Sequence, residues 1–365
     1  MKLGIVGLPN VGKSTLFNAI MQAGAESANY PFSTISPNVG MVPVPDSRLS
    51  VLADMYDPKV TTPATLEMVD IAGLVQGASK GEGLGNQFLS HIREVDALVH
   101  VIRFFVDEQI PFVYPDIDPL RDIETINIEL MIADLELVER RLEKLGKGKK
   151  NEKLYPREKE ALEILQEALV NGTCVRYINW DNPDDGKYAG SLNLLTSKPV
   201  LYAVNVQEDG MKESIKDNPH LEKLNAFAEE EGSKVFVVCA KIEEEISALD
   251  PEEKEMFLEE LGLTQGSLDR LIASGYELLG LISFLTAGPK EVRAWTITHG
   301  LKAPQAAGKI HSDLERGFIR AEVVAFDDLE RLGSYNKAKD SGLVRVEGKE
   351  YIVKDGDVML IRFNV

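Results

Sequence analysis

The chain has 365 residues, of which 44% are hydrophobic and 27% charged, a balance typical of a globular protein with a large core. Its formal net charge of -19 argues against attraction of the whole surface to nucleic acid or anionic membrane. Two cysteines, Cys174 and Cys239, provide no disulfide framework, and no apolar run approaches the roughly 18 residues of a membrane span. We therefore expect a cytoplasmic protein that has neither a membrane nor a sequence-specific DNA partner.

The first predicted element is a short apolar strand at residues 3–6, followed by GLPNVGKST (residues 7–15) and a helical run. This order is the context in which G-x-x-x-x-G-K-[ST] binds phosphate. The glycines let backbone N–H groups point at the phosphates, Lys13 adds a positive charge, and the Ser14 hydroxyl suits Mg²⁺. We expect nucleotide contacts from Asn10, Val11, Gly12, Lys13, Ser14 and Thr15.

A second apolar strand, LEMVD (residues 66–70), ends at Asp70 within the sequence DIAG. A carboxylate at this position after a phosphate loop is expected to hold Mg²⁺, and the N–H of Gly73 is expected near the γ-phosphate. Between the two motifs, Thr34 is the candidate switch residue that closes over Mg²⁺ when a triphosphate is bound. The predicted metal ligands are Ser14, Thr34 and Asp70, and the predicted catalytic residues are Lys13, Thr34 and Gly73.

Leu74 occupies the position where related switch proteins carry a glutamine that orients the attacking water. Leucine cannot orient water, so we expect slow intrinsic hydrolysis, or help from backbone groups, a cation or a partner. Asn10 offers one such route, because its amide oxygen could hold a monovalent cation such as K⁺ near the phosphates. The alternative for Asn10 is an Asx turn that stabilises the loop.

The base is expected to be read by NVQE (residues 205–208), which follows the apolar strand at residues 200–204. Guanine-specific switch proteins carry N-K-x-D here, and the aspartate accepts hydrogen bonds from two adjacent donors on guanine. In this chain Val206 replaces the lysine and the longer Glu208 replaces the aspartate. Asn205 suits either purine, and the backbone of Val206 could meet the adenine edge. Mismatched buried polar groups cost about 1–3 kcal/mol each, so this segment favours ATP over GTP.

The motifs GLPNVGKST, NYPFSTISPNVG, DIAGLVQGASKGEGLGNQFL and NVQEDG, with APQAAGKIHSDLERGFIRAEV near the C-terminus, resemble those of the YchF family of Obg-like ATPases. The resemblance covers nearly the whole chain. It implies hydrolysis of ATP in preference to GTP, an inserted helical hairpin, a C-terminal TGS domain and association with ribosomes. One departure is Phe112 with Val113, where family members often carry His-Val.

Residues 123–145 and 156–170 show helical spacing and are expected to form a hairpin inserted in the nucleotide domain. Its tip carries nine basic against three acidic residues between positions 140 and 159. The tip could be a solvated surface or could contact ribosomal RNA. The basic residues are Arg140, Arg141, Lys144, Lys147, Lys149, Lys150, Lys153, Arg157 and Lys159.

After an expected linker at residues 280–288, strand-like runs and one helical segment at 306–314 predict a β-grasp module. Such modules usually bind partners rather than catalyse reactions. Its candidate contact residues for RNA or protein are Lys302, Lys309, His311, Arg316 and Arg320, with surface solvation as the alternative.

The predicted fold class is α/β: a doubly wound P-loop NTPase sheet with an inserted α-helical hairpin and a C-terminal β-grasp (TGS) domain. The predicted limits are 1–121 and 200–282 for the nucleotide domain, 122–199 for the hairpin and 283–365 for the TGS-like domain. The expected function is Mg²⁺-dependent hydrolysis of ATP as a conformational switch at the ribosome. The alternatives are a GTPase with relaxed base specificity and an ATP-gated binding module with negligible turnover.

Overall fold

The computed structural model describes residues 1–26, 34–36, 38–73, 84–107, 109–111, 113–114, 116–147, 157–208, 218–247, 249, 253, 256 and 266–364. The described residues form two compact units. The first takes those within 1–23, 34–40 and 67–268, and the second takes those within 24–33, 41–66 and 269–365.

The larger of two sheets has seven strands in the order β2-β3-β5-β1-β6-β7-β8. Strands β1, β5, β6, β7 and β8 run parallel to their neighbours in this list. All seven residues of β6 and all six of β7 are buried, as expected for parallel strands covered on both faces. The strands are β1 Lys2–Gly7, β2 Thr34–Ser36, β3 Val39–Pro43, β5 Thr65–Asp70, β6 Ala97–Arg103, β7 Val200–Asn205 and β8 Val235–Val238.

The central position of β1 decides where a ligand can bind. It lies between β5 and β6, so the phosphate loop that follows it emerges beside the carboxyl ends of both neighbours. In open α/β sheets this edge is where ligands bind. The helices that accompany the strands are α1 Lys13–Glu26, α3 Leu84–Glu94, α7 Pro219–Glu230 and α8 Ala240–Ser247.

The predicted helical hairpin is present as α4 (Pro119–Lys147) and α5 (Glu158–Val170), followed by α6 (Pro183–Ser191). Leucines at 162 and 165 are fully buried in the core that the two long helices share. Helix α4 is joined to the segment just before β7 by Asp134, which is fully buried. Its carboxylate accepts hydrogen bonds from Leu195 N, Thr196 N and Thr196 Oγ1, at 2.9, 2.8 and 2.7 Å.

The second unit is built on a six-stranded sheet in the order β12-β11-β13-β9-β10-β4. Its strands are β4 Thr61–Thr62, β9 Leu281–Ala287, β10 Val292–Thr298, β11 Phe318–Ala325, β12 Arg345–Glu347 and β13 Asp357–Phe363. Its helices are α2 Arg48–Tyr56, α9 Ser267–Leu278 (from residue 269 on), α10 Ala303–Ile310, α11 Ser312–Arg316, α12 Phe326–Leu332 and α13 Tyr335–Asp340.

Two predictions for the second unit are wrong in detail. The expected linker at 280–288 is strand β9, which pairs with β10 at seven positions; its two glycines mark strand ends rather than a flexible connection. The single helix expected at 306–314 is two helices. The chain is extended at His311, whose Nδ1 accepts a hydrogen bond from Asp313 N at 3.2 Å and thereby caps the second helix.

The predicted fold class is confirmed: a P-loop sheet with a helical insert is followed by a C-terminal β module. The predicted domain limits stay predictions. Among the described residues, no helix combines the length and the apolar character that crossing a membrane would require.

Candidate nucleotide site

The phosphate loop is shaped by two residues in the left-handed region. Asn10 has φ 63° and Gly12 has φ 87°, so the chain curls between the end of β1 and the first turn of α1. The N–H of Leu16 donates to Gly12 O at 3.0 Å, which closes the first helical turn directly after the loop. The loop thus places the N-terminus of α1 at its mouth, where backbone N–H groups and the helix dipole favour an anion.

Two features exclude a side chain at position 12: the left-handed backbone conformation of Gly12 and the close approach of a neighbouring side chain. A Cβ at this position would lie 2.1 Å from Asn205 Nδ2. Asn205 is only 4% exposed; its Nδ2 donates to Val11 O at 2.9 Å and its Oδ1 accepts from Ala240 N at 3.0 Å. The residue expected to read the base therefore also ties the phosphate loop to the start of α8. One Nδ2 hydrogen remains beyond the bond to Val11.

The carboxylate of Asp70 contacts both Lys13, the charged residue of the phosphate loop, and Ser14, the expected Mg²⁺ ligand. Lys13 Nζ lies 3.0 Å from Asp70 Oδ1, and Ser14 Oγ donates to Asp70 Oδ2 at 3.0 Å. Lys13 is 9% exposed. A serine hydroxyl and one carboxylate, with water and phosphate oxygens completing the shell, is the donor set Mg²⁺ prefers. The two side chains fit that ion, and no group of three or more His, Cys, Asp or Glu suited to a metal occurs among the described residues.

The other predicted catalytic positions are only partly described. Gly73 lies against the phosphate loop, since a Cβ there would be 3.5 Å from Pro9 Cα and 3.7 Å from Gly7 O. Thr34 begins β2 and pairs with Gly40, but nothing is described of its side chain. Leu74 and Phe112 lie outside the described residues. The roles of Thr34, Gly73 and Leu74 stay predictions.

A cleft of about 1010 Å³ opens along the carboxyl edge of the sheet. Its lining brings together the phosphate loop, Gly73, the NVQE segment, the start of α8 and the loop after β6. The lining residues are Leu8, Pro9, Asn10, Gly12, Lys13, Ser14, Thr15, Gly73, Phe105, Asp107, Ile110, Asn205, Val206, Gln207, Glu208, Cys239, Ala240, Lys241, Ile242, Glu244 and Glu245.

At the base end of the cleft, the backbone N–H of Val206 already has a partner within the protein. Its side chain is 3% exposed and its N–H donates to Val238 O at 2.9 Å. The N–H is thus committed to the sheet and is not available to the adenine edge. Gln207 Nε2 donates to Val106 O at 2.9 Å, whereas the side chain of Glu208 is exposed at the rim.

The two cysteines, Cys174 and Cys239, are free and buried. Burial raises the pKa of Cys239 and of Cys174 above the usual thiol value. A thiol held in its protonated form is a poor nucleophile, so neither residue suggests covalent catalysis.

A family model described as "50S ribosome-binding GTPase" matches residues 2–139, and the YchF GTPase C-terminal model, described as a protein of unknown function, matches residues 281–364. The chain is 56% identical to the Bacillus subtilis "Ribosome-binding ATPase YchF", covering 99% of each chain. It is 50% identical to the protein of the same name from Escherichia coli O157:H7, covering 100% of this chain and 99% of the relative.

The chain belongs to the YchF family. A solved structure described as the Schizosaccharomyces pombe YchF GTPase superposes with a TM-score of 0.88 at 39% identity, covering 99% of this chain and 97% of the other. The predicted resemblance is confirmed over the whole chain. The names of the relatives differ on the nucleotide, since the bacterial proteins are called ATPases and the yeast protein a GTPase.

The basic tip of the insert is only partly described in this YchF family member, because residues 148–156 fall outside the described residues. Of the described basic side chains, several are paired within the insert. The distances are 3.3 Å from Arg141 Nη1 to Glu158 Oε1, 3.0 Å from Arg157 Nη2 to Asp185 Oδ2, and 3.0 Å from Lys159 Nζ to Glu163 Oε1. These pairs reduce the charge that this part of the insert offers to a polyanion.

Sequence reasoning missed the wall of the cleft formed by Phe105, Asp107 and Ile110. It also missed Arg103, a charged residue that ends the fully buried strand β6 and is 4% exposed. A signal was present, because a charged residue at the carboxyl end of a buried parallel strand needs polar partners at the edge where ligands bind.

Proposed function

We propose that the protein is a Mg²⁺-dependent ATPase that prefers ATP over GTP and acts as a conformational switch at the ribosome. The observation that carries the ATP preference is the base end of the cleft. Its NVQE segment lacks the aspartate that would read guanine, and Glu208 is exposed at the rim. An exposed carboxylate is hydrated in water and gains little by hydrogen bonding to guanine.

The phosphate end supports a hydrolase rather than a passive binding site. Lys13 is positioned to exchange Asp70 for phosphate oxygens, and Ser14 with Asp70 would hold Mg²⁺. The ion, when bound, neutralises charge on the transferred phosphoryl group. The contribution of this chain is to orient the phosphates through the loop N–H groups and to supply the positive charge of Lys13.

Turnover is expected to be slow without a partner. Leu74, which follows Gly73, carries no polar atom that could orient water. We expect a rate constant below about 1 s⁻¹, the lower end of typical enzymes. A monovalent cation such as K⁺ is a candidate activator near Asn10, and equal turnover in Na⁺ and K⁺ would contradict that role.

Association with the ribosome is supported by the names of the relatives and by the match to the family described as a 50S ribosome-binding GTPase. The basic tip of the insert and the TGS-like domain are the candidate contact regions. A switch that orders loops around the γ-phosphate would make this contact depend on the nucleotide.

Phosphate release and sedimentation with large ribosomal subunits test the proposal together. The wild type should release phosphate from ATP and sediment with subunits in an ATP-dependent manner, and Asp70→Asn and Lys13→Ala should lose both. Lys59→Ala, which removes an exposed lysine of the second unit, is the matched control and should behave as wild type.

The rivals give different results in the same assay. ATP-dependent sedimentation without phosphate release, even with subunits present, would favour an ATP-gated binding module. Unchanged sedimentation of Lys13→Ala would favour a scaffold whose nucleotide site has no role.

A further inference from the structure

The loop that follows β6 is held in place by the guanidinium group of Arg103. This side chain is 4% exposed and reaches backbone on both sides of the loop. Its Nε donates to Phe105 O at 3.1 Å and its Nη2 to Ile110 O at 3.1 Å. Its Nη1 donates to Pro111 O and to Asn10 O, both at 3.3 Å.

The bond to Asn10 O is the important one, because Asn10 belongs to the phosphate loop. The same two segments are joined a second time, since Asn10 Nδ2 donates to Pro111 O at 3.3 Å. Two hydrogen bonds, one to the backbone and one from the side chain of Asn10, therefore stabilise its left-handed conformation.

The other side of the loop is attached to the segment expected to read the base. Gln207 Nε2 donates to Val106 O at 2.9 Å, and the N–H of Phe104 donates to Asn205 O at 2.8 Å. One short loop thus contacts both the phosphate loop and the NVQE segment.

The loop also forms part of the cleft wall. Phe105, Asp107 and Ile110 line the cleft, and the guanidinium carbon of Arg103 lies 4.3 Å from the centre of the Phe105 ring. Arginine is suited to this position because its planar group carries five N–H donors in a fixed fork and stacks on aromatic rings. Lysine carries three donors at one point and cannot reach carbonyls that diverge in this way.

We propose that Arg103 is a positioning residue for nucleotide binding: it clamps the loop after β6 to the phosphate loop and so fixes the spacing between the phosphate and base ends of the cleft. The proposal rests on the proposed nucleotide site. It predicts that loosening the clamp changes the relative affinity for ATP and GTP, since the base-reading segment would shift against the phosphates. A role confined to stability would leave this ratio unchanged.

The test uses full-length Arg103→Lys, Arg103→Met and Gln207→Ala, with Arg176→Met as the control. Arg176 is another arginine of the first unit with little exposed surface; it contacts Asn127, Tyr177 and Glu231 instead of the cleft. Affinities are measured by displacement of a fluorescent ATP analogue with unlabelled ATP or GTP in the presence of Mg²⁺. Thermal unfolding of each variant is recorded in parallel.

We expect both Arg103 variants to bind ATP roughly tenfold more weakly or worse, the change that corresponds to one lost charged hydrogen bond. Their ATP-to-GTP affinity ratio should fall, and lysine should not rescue it. Gln207→Ala should lower the ratio less and leave the melting temperature unchanged, because its side chain is exposed. Arg176→Met should lose stability but keep wild-type affinities and ratio.

Wild-type affinities and ratio in folded Arg103 variants would overturn the proposal, whatever their stability. If neither Arg103 variant folds, Gln207→Ala decides the matter, and an unchanged ratio in that variant overturns the proposal. If the wild type binds neither nucleotide, the proposed function itself fails and the inference fails with it.

Discussion

At the scale of single residues, side chains expected to bind the nucleotide or Mg²⁺ also form the hydrogen bonds that hold the site together. Asn205, expected from the sequence to read a base, also bonds to Val11 O and Ala240 N. Asp70, expected to hold Mg²⁺, also pairs with Lys13 and accepts from Ser14. Binding of a nucleotide and Mg²⁺ would therefore replace contacts within the protein. The affinity for nucleotide then depends on the difference in free energy between the new contacts and the contacts that are lost.

Gly12→Ala tests the close packing of the phosphate loop. A Cβ at Gly12 would lie 2.1 Å from Asn205 Nδ2, and the residue has φ 87°. We expect the left-handed conformation alone to cost about 1–2 kcal/mol, and displacement of Asn205 to weaken ATP binding roughly tenfold or more. Equilibrium unfolding and ATP titration measure the two effects.

Gly146→Ala is the matched control for that substitution. Gly146 lies near the end of α4, and a Cβ there would meet no atom of the described residues within 4 Å. Alanine should therefore stabilise the helix by about 1 kcal/mol without changing ATP affinity. Equal ATP affinities for the two alanine variants would contradict the packing described at Gly12.

The motifs predicted that the phosphate loop and Asp70 lie side by side, and Lys13 and Ser14 do lie within hydrogen-bond distance of Asp70, while their roles stay predictions. Arg103 was not predictable by that route. Its partners are backbone carbonyls of Asn10, Phe105, Ile110 and Pro111, and a carbonyl leaves no signature in the sequence. For the same reason, the hydrogen bond from the Val206 N–H to Val238 O could not be predicted from the sequence.

At the scale of secondary structure, a buried carboxylate attaches α4 to the segment that leads into β7. Asp134 on α4 accepts three hydrogen bonds from Leu195 and Thr196, which begin a short 3-10 helix before β7. Burial raises the pKa of Asp134, while its hydrogen bonds act in the opposite direction.

Asp134→Ala should destabilise the protein strongly. It leaves two buried N–H groups and one hydroxyl without their acceptor, and each such group costs about 1–3 kcal/mol. Equilibrium unfolding in urea should show the loss, and Glu139→Ala, at an exposed position of α4, should not. Equal midpoints for the two variants would argue that Asp134 does not hold α4 to the segment before β7.

Helices whose apolar residues recur with a clear helical period were predictable. The observed bounds of α4, Pro119–Lys147, and of α5, Glu158–Val170, lie close to the expected 123–145 and 156–170. The strand at Leu281–Ala287 was not, because its flanking glycines suggested a linker. The pairing of Thr61–Thr62 with β10 was also missed. Two residues carry too little periodicity to reveal a strand whose partner is far along the chain.

At the scale of the whole molecule, acid stability should depend on one buried histidine. His100 lies in β6, and burial, together with the charge of Arg176, lowers its pKa to about 3. Within the described part of the chain its Nε2 has no hydrogen-bond partner. Because the unfolded chain takes up the proton near pH 6.5 and the folded chain does not, stability is complete above pH 6.5 and is lost as pH falls towards 3.

His100→Phe should remove that loss while keeping an aromatic ring beside Tyr202, whose ring centre lies 5.9 Å away. Relative to wild type, the variant should gain about 2 kcal/mol in free energy of unfolding between pH 7 and pH 5. The pKa of Glu231 is raised to about 6 by burial, so its contribution runs in the opposite direction and is shared by both proteins.

Urea unfolding at both pH values measures the difference, and His220→Phe, which changes an exposed histidine, serves as the control. A His100 variant that loses as much stability as wild type on acidification would contradict this account.

A YchF family member with NVQE at the segment expected to read the base should bind ATP in preference to GTP. A competition titration tests it most directly: a fluorescent ATP analogue bound in Mg²⁺ is displaced by unlabelled ATP or GTP, with wild type and with Glu208→Asp combined with Val206→Lys. We predict tighter binding of ATP to wild type and a shift towards GTP in the double variant. Tighter binding of GTP to the wild type would contradict the claim.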